Sequence, residues 1–270
     1  MTNVALLVGT LLPLTATAQS PSSTWETGKW RVGATIYAYL PSFGGQMKFP
    51  VDTGGSSIDV DADTIIDSLK LAFMGSLDVH NGRWGLFTDV IYMDVGGDKS
   101  QTRDFSIGNS GVPAGTSADL TLDLKGTVWT IAGQYRVVSD PAWTVDALAG
   151  ARMLDVNPTL GWTITGNLGP ITPAGRTGNK EIDQTVWDGI VGAKGRYAFG
   201  ESRRWFLPFY GDIGTGESDL TWQAAGGVGY AFHWGEVIAL WRYIDYKFKS
   251  DQQLQDLTMN GPMFGVRFSW

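Results

Sequence analysis

The chain has 270 residues with 36 glycines, 12 tryptophans, 12 phenylalanines and 9 tyrosines, yet only 17% of it is charged. The lack of cysteine excludes a disulfide scaffold, thiolate metal sites and a cysteine nucleophile, and a net charge of -7 argues against a nucleic-acid binder, which needs a basic face. Mean hydropathy near zero, with no apolar run of about 18 residues beyond the N-terminus, leaves a soluble all-β protein or a membrane β-barrel whose strands alternate their hydrophobicity.

In chain order, Val4 to Leu14 is a short apolar stretch, and Ala16-Thr17-Ala18 offers the small-x-small pattern of a secretory cleavage site before Gln19. Residues 1–18 are therefore expected to be a signal peptide, 19–29 a polar periplasmic linker and 30–270 the folded unit. From Trp30 onward, stretches with period-2 hydrophobicity occupy about 30–40, 70–80, 83–95, 119–137, 142–155, 184–199, 205–214, 219–233, 236–248 and 258–270. A tilted strand needs about 9 to 11 residues to cross a bilayer, whereas soluble strands average about 5 to 6.

The connections alternate between two classes. Asn81-Gly82, expected as a type I′ turn, Ser139-Asp140-Pro141, Gly200-Glu201-Ser202 and His233-Trp234-Gly235-Glu236 are tight. Pro41 to Leu69, Gly96 to Ala118, Asn157 to Asp183, Thr215 to Ser218 and Lys249 to Leu257 are mostly longer and rich in small polar residues. Short turns on one side and long loops on the other form the outer-membrane barrel layout, with the turns periplasmic.

Parity sharpens the reading, because a barrel wall places apolar groups toward lipid and tolerates charge in the lumen. With the apolar face outward, Arg31, Asp78, Asp89, Arg136, Asp146, Arg152, Asp188, Lys194, Arg196, Asp212, Arg242 and Arg267 point inward, seven basic and five acidic groups. The opposite parity would put arginines into lipid at about 2 to 4 kcal/mol each near the midplane. Trp30, Trp84, Trp143, Tyr197, Trp205, Phe232 and Trp234 cluster beside the periplasmic turns as an interfacial girdle.

The ending Gly265-Val266-Arg267-Phe268-Ser269-Trp270 alternates and finishes on an aromatic, like the C-terminal signal of outer-membrane proteins, with Phe268 and Trp270 as the recognised residues. Asp59 to Leu69, Ala72-Phe73-Met74-Gly75 and Gly82 to Phe87 resemble a group of largely uncharacterised proteobacterial outer-membrane β-barrels of the small porin and opacity type. The resemblance implies location and architecture, with the barrel-assembly machinery as a partner during biogenesis, and supplies no catalytic residues.

Candidate chemistry is sparse. Asp59, Asp61 and Asp63 have the spacing that opens a calcium loop, but Thr64 stands where such a loop needs glycine and Lys70 where it needs glutamate, so no metal site is assigned. That segment instead reads as a capped short helix through Leu69 in the first extracellular loop. The two histidines, His80 and His233, lie at periplasmic turns on different hairpins, and no Gly-x-Ser-x-Gly elbow exists.

The sequence thus predicts an all-β, transmembrane, antiparallel up-and-down β-barrel of about ten strands, with eight or twelve as alternatives, in the outer membrane of a Gram-negative bacterium. Its partners are outer-membrane lipid and lipopolysaccharide. It is expected to be no enzyme, to use no cofactor and to have a structural or surface role with a charged, largely plugged lumen. The alternatives are a narrow, weakly anion-preferring pore for small solutes, an outer-membrane enzyme and a soluble periplasmic β-barrel binder.

Overall fold

The structure is a computed structural model, and it describes residues 29–48, 55–60, 69–96, 101–102, 106–107, 110–111, 117–165, 177–181, 183–252 and 254–270. The expected signal peptide, all of the linker except Lys29, and most of the expected loop helix lie outside these residues. Ten antiparallel strands form the wall: β1 (Trp30–Tyr39), β2 (Leu69–Asn81), β3 (Trp84–Val95), β4 (Ser117–Ser139), β5 (Trp143–Thr165), β6 (Gln184–Phe199), β7 (Trp205–Gly216), β8 (Ser218–Ala231), β9 (Glu236–Phe248) and β10 (Leu254–Ser269). Each pairs with the next in sequence, and β1 closes on β10 from Gly33↔Ser269 to Tyr39↔Met263. Closure joins the first strand to the last, and along the paired spans the backbone groups are satisfied inside the sheet, as a lipid environment demands.

Three features of the connections differ from the sequence reading. The hairpin between β2 and β3 turns on Gly82-Arg83, with Gly82 at φ 61 in the first central position, the pattern of a II′ turn rather than the expected I′. Pro41 to Leu69 is not simply a loop. Ser42–Lys48 continues the line of β1 along β10, and Gly55–Val60 folds back on it as a hairpin. Strand β5 runs well past its expected end at 155, paired with β4 as far as Thr165↔Ser117, whereas β4 lies close to its expected bounds. Alternation continued into segments whose Gly, Asn and Pro content reads as loop, because a ladder fixed at one end imposes its register on residues of weak preference.

The periplasmic turns are tightly made. The Asp140 carboxylate accepts the amides of Ala142 at 2.8 Å and Trp143 at 2.7 Å, an Asx-type turn that fixes the entry to β5. At the C-terminus, Trp270 and Val32 exchange backbone hydrogen bonds at 2.9 and 3.0 Å. Deleting Phe268 to Trp270 removes these closing bonds together with the terminal aromatics. Folded, heat-modifiable protein in the outer membrane should then drop sharply. A normal folded yield would show that the β1–β10 closure does not need them.

Candidate functional site: the barrel lumen

The outer surface and the lumen separate by parity. Trp30, Ile36, Phe73, Trp84, Leu86, Val191, Ile213, Trp241 and Phe264 stand exposed on the outside, with Trp84 at 70%. Large aromatic and aliphatic side chains this bare, distributed around the whole wall, are incompatible with water on that face and match a lipid-facing belt. Of the predicted girdle residues, Trp30, Trp84, Trp143, Trp205, Phe232 and Trp234 are exposed and Tyr197 is half-buried against Trp143, and edge contacts such as Trp84 to Tyr135 at 4.8 Å link the rim.

Inside, the charges are brought together across the barrel. Arg242 of β9 bonds Asp89 of β3 at 2.6 Å, Gln223 of β8 at 3.1 Å and the Tyr37 hydroxyl of β1 at 3.1 Å, while that hydroxyl donates to Asp89 at 2.7 Å. Arg152 of β5 pairs with Asp212 of β7 and also donates to Thr130 at 3.3 Å and Thr221 at 3.2 Å. Strands so far apart around the wall can share side-chain contacts only through its interior.

A second charged tier lies nearer the periplasm. Asp78 takes Lys194 and the Gln134 amide, the latter at 3.2 Å, and Arg136 holds Asp146 through two nitrogens at 2.5 and 3.0 Å. Arg196 reaches Glu236 at 2.5 Å, and Arg267 lies 3.9 Å from Glu236 and 4.0 Å from Asp78. Gly33 makes room here, since a side chain on it would run into the Arg267 guanidinium. Arg31 shares the inward parity but sits exposed at the periplasmic mouth.

Asp188 points inward as expected but is held differently from the other carboxylates, and His80 is placed differently from the sequence reading. Among the described residues Asp188 makes no ion pair, although Arg152 stands opposite it in register: its carboxylate accepts the Ser218 amide at 2.9 Å and the Ser218 hydroxyl, and so ties the β7–β8 turn to β6. His80 is not in the turn but on the inner face of β2, 6% exposed, with Nε2 3.2 Å from Asp78, 3.6 Å from Asp146 and 3.2 Å from Arg136. One further residue before the turn is enough to carry its side chain from the rim into the lumen. His233 remains exposed at the β8–β9 turn.

The extracellular half of the lumen is apolar, which the sequence reading missed. Ile91, Met93 and Val95 follow Asp89 on the same face, Leu154 and Val156 follow Arg152, and Ile244, Tyr246 and Phe248 follow Arg242. With Tyr37, Tyr39, Phe43, Met74, Val128, Val186, Leu257, Met259 and Met263 they form one buried cluster. Its signal was present in the sequence: the inward positions turn from charged to aliphatic in the upper part of several strands. The cavity among Phe43, Ile91, Met93, Leu154, Val156 and Met259 measures about 20 Å³, room for a single water-sized sphere. Among the described residues, no group of three or more metal-binding side chains is gathered.

A closed antiparallel wall, an apolar exterior with an aromatic rim and charges turned inward decide the class. The chain is a transmembrane β-barrel of the bacterial outer-membrane type. A solved structure shares this fold. The Escherichia coli outer-membrane protease OmpT superposes with a TM-score of 0.52 at 8% identity, over 92% of this chain and 100% of that one. The translocator domain of the autotransporter NalP from Neisseria meningitidis aligns with a TM-score of 0.40 at 12% identity, covering 90% of this chain and 89% of that one. The attachment invasion locus protein Ail of Yersinia pestis gives 0.34 at 11% identity over 89% and 98%. No protein-family model matches this sequence, and no curated protein does either.

Proposed function

We propose that this protein is an integral outer-membrane barrel with a closed lumen, serving a structural or surface role rather than solute conduction or catalysis. The observation that carries this reading is the two-part filling of the interior. Oppositely charged side chains neutralise one another across the periplasmic and middle levels, and a packed apolar cluster occupies the level above. A ten-stranded barrel is only slightly wider than the eight-stranded size that side chains fill, and far narrower than the 16 to 18 strands that leave an aqueous channel. Hydrated ions would have to cross an unlined apolar layer and break paired charges, two barriers in series.

Planar-bilayer recording tests it. The purified protein should give no steady conductance, and simultaneous replacement of Met93, Leu154 and Met259 by serine should leave the ionic levels to block the current alone. Steady wild-type channels with anion preference would overturn the closed lumen and favour the narrow pore instead.

A further inference from the structure

The periplasmic tier of lumen charges does not balance. With His80 and the exposed Arg31 set apart, it holds four cations, Arg136, Lys194, Arg196 and Arg267, against three carboxylates, Asp78, Asp146 and Glu236. Each carboxylate is already claimed. Arg136 holds Asp146 through two nitrogens, Lys194 holds Asp78, and Arg196 holds Glu236 at 2.5 Å. Two of these cations also lie over aromatic rings, Lys194 over Phe87 at 4.0 Å and Arg196 over Phe206 at 5.0 Å.

Arg267 of β10 is the surplus cation. Its guanidinium stands 3.9 Å from Glu236 and 4.0 Å from Asp78, too far for a hydrogen bond to either, and among the described residues no other acceptor or ring meets it. The side chain is only 32% exposed, so it has given up much of its water without gaining a protein acceptor in return. A shielded charge is ordinarily paired and hydrogen-bonded, and five N–H donors here are not.

The surroundings fix this group at an opening. Gly33 of β1 leaves the room that the guanidinium occupies, since a Cβ there would collide with it. Glu236 of β9 separates Arg267 from Arg196 of β6, so two guanidinium groups face one carboxylate between them. Side-chain exposure rises from 4% at Asp146 to 26% at Arg196 and 32% at Arg267, which puts the two arginines at the wet end of the tier. A planar fork of N–H donors matches the paired oxygens of a carboxylate or phosphate.

We propose that Arg267, with Arg196 beside it across Glu236, is a binding site for a small oxyanion, a phosphate or carboxylate group presented from the periplasm. The ligand supplies the acceptor oxygens that the protein does not, and Glu236 competes with it for the two guanidinium groups. The site lies on the periplasmic side of the apolar layer and stands whether or not that layer is closed.

Calorimetric titration of inorganic phosphate into the full barrel in maltoside micelles, with ionic strength held constant by sodium chloride, tests the site. Wild type should show saturable binding. Arg267→Gln should weaken it about tenfold or more, because it removes charge-assisted hydrogen bonds. Glu236→Gln should tighten it several-fold by removing the competing carboxylate, an effect that general screening of positive charge does not produce. Gly33→Ala should weaken it by displacing the guanidinium, and heat-modifiable migration checks that each variant is folded. Competition by acetate would support a free oxyanion from the periplasm, and competition by phosphatidylglycerol added to the micelles would assign the same chemistry to a lipid headgroup. Absence of saturable binding in wild type, or equal affinity in wild type and Arg267→Gln, would overturn the proposal.

Discussion

Arg152→Ala or Asp212→Ala should each lower stability by about 3–5 kcal/mol, the largest loss of any single lumen truncation. Both side chains are 0% exposed, so the surviving partner is left as an uncompensated charge in a dry interior. Arg152 has hydroxyl partners in Thr130 and Thr221, which hold its position but carry no opposing charge. The double variant Arg152→Met with Asp212→Leu removes both charges at similar volume and should be neutral or more stable. Asp188→Ala strands only the Ser218 amide and hydroxyl, so its loss should be smaller, about 1–3 kcal/mol. Urea unfolding in phospholipid vesicles measures all four. If Arg152→Ala and Asp212→Ala unfold like wild type, water reaches that level and the closed lumen fails with it.

The second large effect belongs to the opposite face. Val191 is 59% exposed on the outside of β6, between Trp187 toward the extracellular end and Tyr197 toward the periplasmic rim, which puts it close to mid-bilayer. Val191→Arg places a guanidinium in hydrocarbon and should cost about 2–4 kcal/mol in the same vesicles. Phe199→Arg, on the same face but beyond Tyr197 at the periplasmic end, should cost about 0–1 kcal/mol, because the side chain reaches the headgroups. A depth-dependent penalty is a property of lipid alone. Equal, small effects at both positions would mean that this face meets water and that the barrel is a soluble one.

Much of the wall was legible before any coordinates. Period-2 alternation in Trp30 to Tyr39 or Trp84 to Tyr92 is a local property, since successive side chains of any strand take opposite faces, and Gly82 or Gly200 mark the turns through backbone freedom that also needs no tertiary context. The inward set from Asp78 to Arg267 followed from the same alternation, once charge was denied to the lipid face. Legibility failed where the parity inverts. Ile244 to Phe248 and Leu154 to Val156 still alternate, but Asp245, Lys247 and Asp155 take the outward positions and the apolar side chains face the lumen, so only the height of the segment in the barrel tells which face is which.

By itself, then, the sequence determined the class, the turn side, the aromatic rim and the candidate lumen charges, because each rests on neighbours two to four residues apart or on the solvent each face requires. The tertiary structure alone decided which charges meet. Arg152 pairs with Asp212 at a separation of 60 residues and Arg242 with Asp89 at 153, while Asp188 takes Ser218 in place of an arginine. Pair choice depends on strand order, stagger and the width of the closed barrel, and none of these is encoded in local spacing. The same holds for the upper edge of β1: the Tyr39 N–H meets the Met74 sulfur because the β1–β2 ladder ends at Ile36↔Gly75 while β1 stays paired with β10, and no local spacing encodes where that ladder stops.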